Sequence, residues 1–352
     1  MRSPNYTKFP WQENYSEIID VRSENEFAED RIPGAINLPV LNNEERAKVG
    51  TIYKQVSPFE ARKIGAALVA KNISQHLIHH FADKDKNYSP LIYCWRGGQR
   101  SNSLAIVLTQ IGWRVTVLEG GYKTYRAYIR QQLETLPLQF NYKILCGLTG
   151  TGKTHILHQL AQRGEQILDL EKIATHRGSL LGQEWQETPI PQPSQKHFES
   201  LLLKELQKLD INKTVWIESE SNKIGEIYLP LTLWKKMKQA SCIEIQLPLA
   251  ARVEWLLQEY SNLASNLEFL KNKLLMLKNR FGREKIEQWH RLIDERKLKI
   301  LVEDLLESHY DSAYRRSLER IYQKIEKVIS ISDLSEQSIE NTVNILCSAI
   351  RD

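Results

Sequence analysis

The amino-acid sequence predicts an α/β protein of two successive parallel-sheet domains, the second closed by a helical region. Three observations lead there. Two loops, Cys94-Trp95-Arg96-Gly97-Gly98-Gln99-Arg100-Ser101 and Gly147-Leu148-Thr149-Gly150-Thr151-Gly152-Lys153-Thr154, each lie between a short apolar run and a helical pattern, the order of a βα unit in a parallel sheet. The 352 residues exceed one ordinary core, and the loops fall one in each half, as expected for domains of roughly 100 to 200 residues. From Ala251 to Gln323 apolar residues recur at three- and four-residue spacing, with only Gly282 interrupting, which is the period of helices.

Along the chain, Ile18 to Val21 reads as a strand ending at Asp20 and Arg22, and a turn follows at Arg31-Ile32-Pro33-Gly34-Ala35-Ile36-Asn37 before the apolar stretch Leu38 to Leu41. Helical spacing covers Pro58 to Ala70; Leu91 to Tyr93 is a strand delivering Cys94; Ser101 to Gln110 is a helix; Val115 to Leu118 is a strand ending at Glu119-Gly120-Gly121-Tyr122. Gln131 to Asn141, with Pro137, marks the junction, so the domains are expected at 1–137 and 138–352, helical from about 251. Tyr142 to Cys146 is then a strand, His155 to Gln162 a helix, and Ile167 to Leu170, Val215 to Ile217 and Cys242 to Leu247 further strands.

At 41% hydrophobic and 26% charged the chain has the composition of a soluble globular protein, and no apolar run approaches the ~18 residues of a membrane span. Met1 to Ile19 contains no signal-peptide stretch, so the cytoplasm is the expected compartment. Cys94, Cys146, Cys242 and Cys347 form no C-x-x-C pair, so neither a metal site nor a disulfide framework is indicated. The last three lie in apolar patterns and are expected in the core. The net charge is only +5, yet residues 266–300 hold ten Lys or Arg against five Asp or Glu. Such a basic segment suits a polyanion, with Lys271, Lys278, Arg280, Arg283 and Arg291 as candidate contacts and Trp289 as a candidate stacking platform.

In the first loop, Gly97 and Gly98 permit positive φ so that successive N–H groups turn inward, and Arg96 and Arg100 add positive charge around the sulfur. A thiolate favoured in this way makes Cys94 a nucleophile, and the same cradle stabilises a persulfide or perselenide anion. In the second loop Gly147, Thr149, Gly150, Thr151 and Gly152 wrap phosphate oxygens, Lys153 neutralises them and Thr154 can ligand Mg²⁺. Glu218, at the end of a strand, stands where the acidic metal partner of such folds sits. The cradle suits a di- or triphosphate without dictating nucleotide hydrolysis.

Asp20-x-Arg22, Ile32-Pro33-Gly34-Ala35-Ile36-Asn37, the Cys94 loop and Gly120-Gly121-Tyr122 together resemble a rhodanese domain. Its commoner loop places arginine five positions after cysteine, whereas Arg100 follows Cys94 by six, as in cysteine-dependent phosphatases, and should enclose a larger anion. After the phosphate loop come Asp169-Leu170-Glu171, His176-Arg177-Gly178-Ser179, Gln192-Pro193-Ser194-Gln195 and Glu218-Ser219-Glu220-Ser221 with Ile224-Gly225. With Val49-Gly50-Thr51-Ile52-Tyr53-Lys54-Gln55, these motifs make the chain resemble the tRNA 2-selenouridine synthase family, down to about Gly225. The resemblance implies a rhodanese-like domain followed by a P-loop NTPase-like α/β domain, with Asp169, Glu171, His176, Arg177, Ser179, Gln195, Glu218, Glu220 and Ser221 as further site candidates. It also implies replacement of sulfur by selenium at C2 of wobble 2-thiouridine in tRNA, through an S-geranyl intermediate. Geranyl diphosphate and selenophosphate are then substrates, an enzyme supplying selenophosphate is a partner, and no tightly bound cofactor is expected. On residue chemistry alone, a cysteine-dependent phosphatase or sulfurtransferase fused to a P-loop NTPase competes with it, as does a non-catalytic binding module.

Overall fold

The computed structural model describes residues 2–184, 188–259, 266–321 and 325–349. Two compact units form: 1–132 with 194–204, and 133–193 with 205–352. Segment 194–204, expected in the second domain from its position in the chain, folds with the first unit.

The first unit is built on strands β1 (Asn5–Thr7), β2 (Glu17–Asp20), β3 (Ile36–Asn37), β4 (Pro90–Tyr93) and β5 (Thr116–Leu118), in the spatial order β1-β5-β4-β2-β3. Every pairing is parallel, which requires crossovers and buries the middle strands on both faces. All four residues of β4 are accordingly buried, and Ile19, Ile92, Leu104, Leu108 and Val117 pack into one core. Pro58 starts the helix Pro58–His79 at a position where its missing N–H costs nothing, and the Ser57 hydroxyl accepts from the Phe59 N–H as the cap.

In the second unit β6 (Tyr142–Cys146), β7 (Gln166–Ile167), β8 (Val215–Glu218), β11 (Ser241–Gln246) and β12 (Ile325–Ser330) make a second parallel sheet, ordered β12-β11-β6-β8-β7. A short hairpin pairs β9 (Lys223–Ile224) with β10 (Ile227–Tyr228). The strand expected over Ile167 to Leu170 is cut short because Asp169 caps the helix Leu170–Ala174, its Oδ1 accepting from the Lys172 N–H at 2.8 Å. β12 lies at the sheet edge with only one buried residue, and its sequence carries no strong apolar alternation that would predict it. Cys146 and Cys242 lie in the core as expected, fully buried on the neighbouring strands β6 and β11 with their Cα atoms 6.1 Å apart.

The predicted helical stretch comprises Leu249–Glu259, Leu267–Leu275, Lys278–Asp294, Leu298–Leu305, a π-helical turn Leu306–Asp311 and Ser312–Ile321. Gly282 kinks the third of these at φ 80°. Its expected end at Gln323 lies outside the described residues. Leu270, Leu274, Ile286, Ile293, Leu301 and Leu305 close a separate core around Trp289. Trp289 is therefore no stacking platform: it is fully buried, and its Nε1 donates to Asp304 Oδ2 at 2.9 Å. Among the described residues no helix is long and apolar enough to cross a membrane.

Candidate functional site

In the first unit β4 ends at Cys94, and the loop turns into the helix Gln99–Ile111. Cys94 is 3% exposed, with Sγ 3.3 Å from the Ser101 hydroxyl, which itself lies 3.1 Å from the Gly98 carbonyl. The loop is held by the turn that follows β5: the Tyr122 N–H donates to Cys94 O at 2.8 Å and the Lys123 N–H to Trp95 O at 3.1 Å. This close approach is why Gly97 and Gly121 are glycines. Gly97 and Gly121 have φ of 63° and 59°, and a Cβ on Gly121 would stand 2.2 Å from Cys94 O. Gly98 differs from expectation, since its φ is −99° and nothing lies within 4 Å of a Cβ there.

Replacing Gly121 by alanine should therefore destabilise the protein by more than the about 1–2 kcal/mol that left-handed backbone alone costs a side chain, and should dislodge the cysteine loop. Gly98→Ala should leave chemical denaturation unchanged. Equal denaturation midpoints for the two variants would contradict this account of the loop.

The arginines of the loop behave unequally. Arg96 is exposed, while Arg100 is turned to Glu26, with Nη1 2.6 Å from Oε2 and Nη2 3.3 Å from Oε1. Burial would raise the Glu26 carboxyl, but the hydrogen bond and charge of Arg100 outweigh it and hold the carboxyl below its ordinary range. Arg100 thus spends part of its charge on Glu26 instead of on the sulfur. Beneath the loop Arg22, 1% exposed, makes bonds of 2.6–3.0 Å to the Asp20 carboxylate and donates to Asp30 O at 2.6 Å. Asp30 in turn accepts from the Tyr122 hydroxyl at 2.8 Å and from Ser200 at 2.9 Å. Burial pushes Asp30 up, yet His197, Tyr122, Ser200 and Arg126 together hold its carboxyl below the ordinary range. The Asp20-x-Arg22 and Gly-Gly-Tyr motifs are one buried polar network that seats the cysteine loop.

In the second unit β6 delivers the phosphate loop, and Gly152, at φ 72°, opens the helix Lys153–Gln162. Gly147 and Gly150 also have positive φ, 153° and 85°. Lys153 Nζ donates to Gly147 O at 2.9 Å and lies 3.4 Å from Leu148 O, while the buried Thr151 hydroxyl donates to Leu148 O at 2.8 Å. A cavity of about 940 Å³ opens on this loop. Thr149, Gly150, Gly152, Lys153 and Thr154 form one wall; Asp169, Glu171, Arg177, Ser179, Glu218, Glu220 and Ser221 form another.

Gly147 and Thr151 of the loop lie behind that wall, and two of the further candidates are not brought there. Gln195 belongs with the first unit, where its Nε2 donates to Glu199 at 3.0 Å. His176 does not line the cavity, and its Nδ1 is buried with no hydrogen-bond partner among the described residues. Gln192, a few residues upstream of Gln195, stays with the second unit: it donates to Ala174 O and Ile224 O, each at 3.1 Å, and packs where a Cβ on Gly225 would collide with it at 2.1 Å. The four-residue motif around Pro193 therefore divides between the units.

Glu171, Glu218 and Glu220 bring carboxylate oxygens within 4.8 Å of one another. Burial, then mutual repulsion, raises Glu171 and lifts Glu220 to about 7; Glu218 is raised by burial against the opposing charge of Lys153 and a hydrogen bond to Thr154. Glu218 is 5% exposed, and its Oε1 has no hydrogen-bond partner among the described residues. Such hard oxygen donors beside a threonine hydroxyl and a phosphate loop fit a divalent cation such as Mg²⁺.

Three residues of the site, Tyr314, Arg252 and Asp311, are not apparent from the sequence. Tyr314 accepts the Gly147 N–H at 2.8 Å and meets the Ser219 hydroxyl at 2.7 Å. Arg252, 3% exposed, donates to Thr149 O at 3.1 Å and to both oxygens of Asp311 at 2.8 Å. The partners in these bonds are 59 to 167 residues apart, and the three residues sit inside ordinary helical spacing that carries no local sign of the pairing.

Of the candidate polyanion contacts, Lys278, Arg280, Arg283 and Arg291 are exposed. Lys271 lies between Glu268 at 3.4 Å and Asp294 at 2.6 Å, and Arg283 pairs with Glu287 at 2.7 Å.

The family described as tRNA 2-selenouridine synthase AAA domain matches residues 140–343, and the rhodanese-like domain family matches residues 7–128. A tRNA 2-selenouridine synthase of Bdellovibrio bacteriovorus is 31% identical over 357 residues, covering 90% of this chain and 92% of that one. The relatives of the same name from Nitrosomonas europaea and a Sulfurovum species are 35% and 37% identical over 69% and 70% of this chain. The chain spans 63% and 66% of their lengths.

Proposed function

Because the chain belongs to the tRNA 2-selenouridine synthase family, we propose that it replaces the C2 sulfur of wobble 2-thiouridine in tRNA by selenium. Geranyl diphosphate activates the sulfur and selenophosphate supplies the selenium. The observation that carries this is the presence, in one chain of that family, of both a braced cysteine loop and a phosphate loop opening on a cavity of about 940 Å³.

In the first half-reaction the thiocarbonyl sulfur attacks C1 of geranyl diphosphate. The S–C bond forms, the C–O bond breaks with its electron pair leaving on pyrophosphate, and the base loses its N3 proton. Lys153 and the N–H groups of residues 147–154 stabilise the charge that develops on pyrophosphate. Thr154, Glu171, Glu218 and Glu220 would hold a divalent cation, which adds positive charge to the same oxygens. In the second half-reaction the Cys94 thiolate bonds to C2, and the C2–S bond breaks with geranyl thiolate leaving. The selenium of selenophosphate then bonds to C2 as the C2–Sγ bond breaks and returns the thiolate to Cys94, and water cleaves the Se–P bond, releasing phosphate and the selenouridine. Prenylation matters because it turns a poor leaving group into a thiolate. The reaction belongs in the cytoplasm, where its tRNA substrate is.

Mass spectrometry of tRNA nucleosides after incubation with geranyl diphosphate, with and without selenophosphate, tests both halves. Selenouridine is expected where selenophosphate is present, and geranylated nucleoside where it is left out. The absence of both products would overturn the assignment.

For tRNA binding, reversal of Arg283 and Arg291 to glutamate should weaken affinity across tRNAs and reduce the salt slope by about one for each phosphate ion pair removed. Binding measured over a salt series checks this, and an unchanged slope would remove the 266–300 segment from the interface.

A further inference from the structure

Beside the phosphate cavity lies a second, apolar pocket. Leu256 and Leu257 of the helix Leu249–Glu259, Leu270, and Leu298, Leu301, Val302 and Leu305 of the helix Leu298–Leu305 line it. Thr149, Ser179, Leu256 and Tyr310 belong to its wall and to the wall of the phosphate cavity, so the two spaces are immediate neighbours. Polar groups stand only at that shared wall. Deeper in, the lining is leucine and valine.

The pocket is also fixed relative to the cradle. A Cβ on Gly150 would touch Leu256 Cδ1 at 3.0 Å and Arg252 at 3.1 Å, so the phosphate loop packs directly on the helix that forms the pocket wall. Arg252 ties that helix to Thr149 O and to Asp311, the last residue of the π-helical turn that carries Tyr310. Insertions of this kind into helices recur at functional sites. Cradle, wall and turn thus form one braced body, and the distance from a bound diphosphate to the pocket floor is set.

We propose that this leucine pocket measures the donor: it takes the apolar tail of a prenyl diphosphate whose diphosphate sits in the Gly147–Thr154 loop, and so selects tail length. The proposal rests on the prenyl-donor assignment above and names the subsite that makes it specific. A nucleoside would have to bury its base and sugar polar groups against leucine with no partners, which is costly, whereas each buried methylene strengthens binding by about fourfold. The free volume of about 80 Å³ is smaller than a geranyl tail displaces, so the half-buried Leu298 and Val302 must turn aside to admit its end.

Isothermal titration of the full chain with inorganic pyrophosphate and with dimethylallyl, geranyl and farnesyl diphosphates tests this. The unsubstituted protein should bind geranyl diphosphate more tightly than pyrophosphate. Val302→Trp should weaken geranyl diphosphate by at least about tenfold while pyrophosphate and dimethylallyl diphosphate bind as before. Leu298→Ala, a smaller change at a half-buried position, should shift preference toward farnesyl diphosphate, and it keeps the test decisive if tryptophan is not accommodated. Unaltered tail preference in both variants, with pyrophosphate still bound, overturns the pocket assignment alone. Failure of the unsubstituted protein to bind any of the diphosphates overturns the prenyl-donor assignment itself.

Discussion

Cys94→Ala is expected to lower selenouridine yield by at least about a thousandfold, the scale of losing a covalent nucleophile, while geranylated tRNA accumulates. Cys94 is 3% exposed at the end of a fully buried strand, so alanine fills most of its volume and the loop keeps its bonds from Tyr122 and Lys123. What alanine removes is the sulfur beside the Ser101 hydroxyl. Continued geranylation in the same sample reports that the protein is folded. Undiminished selenouridine from this variant would show that selenium replaces sulfur at C2 without Cys94.

Lys153→Ala should give the complementary result, with geranylation reduced by about 10²–10³, comparable to removing one preorganised donor from a site of developing negative charge. Lys153 Nζ is presented across the loop by Gly147 O at 2.9 Å, and it is the cation that offsets the repulsion among Glu171, Glu218 and Glu220. Its removal costs the site both a phosphate ligand and that offset. The variant should still convert tRNA that has been geranylated beforehand, since this step belongs to the cysteine loop. Normal geranylation of 2-thiouridine tRNA by Lys153→Ala would remove the phosphate loop from the donor site.

Together the two variants separate the half-reactions. A protein in which either substitution stops both steps equally would not be built from two divisible sites.

Much of both loops is legible in the sequence because each is a local device. A cysteine or lysine between glycines, preceded by a strand and followed by a helix, encloses an anion with backbone atoms that lie within eight residues of one another. The same holds for Asp20-x-Arg22, whose ion pair closes over two residues. Gly98 shows the limit even here: two adjacent glycines look alike in sequence, but only Gly97 is pressed against Leu118 O, 2.7 Å from its would-be Cβ. Arg100 shows another, since Glu26 lies 74 residues away and no spacing rule links them.

Hydrophobic period and turn chemistry are short-range, so the order of amino acids alone specifies the two α/β units, the two anion loops and the acidic residues that end the strands. Which distant groups complete them is settled by packing. Folding assigns Ser194 and Gln195 to the first unit and Gln192 to the second, buries Trp289, brings Cys146 near Cys242 on neighbouring strands and sets Tyr314 and Arg252 against the phosphate loop. It also leaves a leucine pocket open beside that loop. All of these outcomes depend on which helix and sheet faces meet, and a helical period of apolar residues specifies that a face is buried without specifying against what.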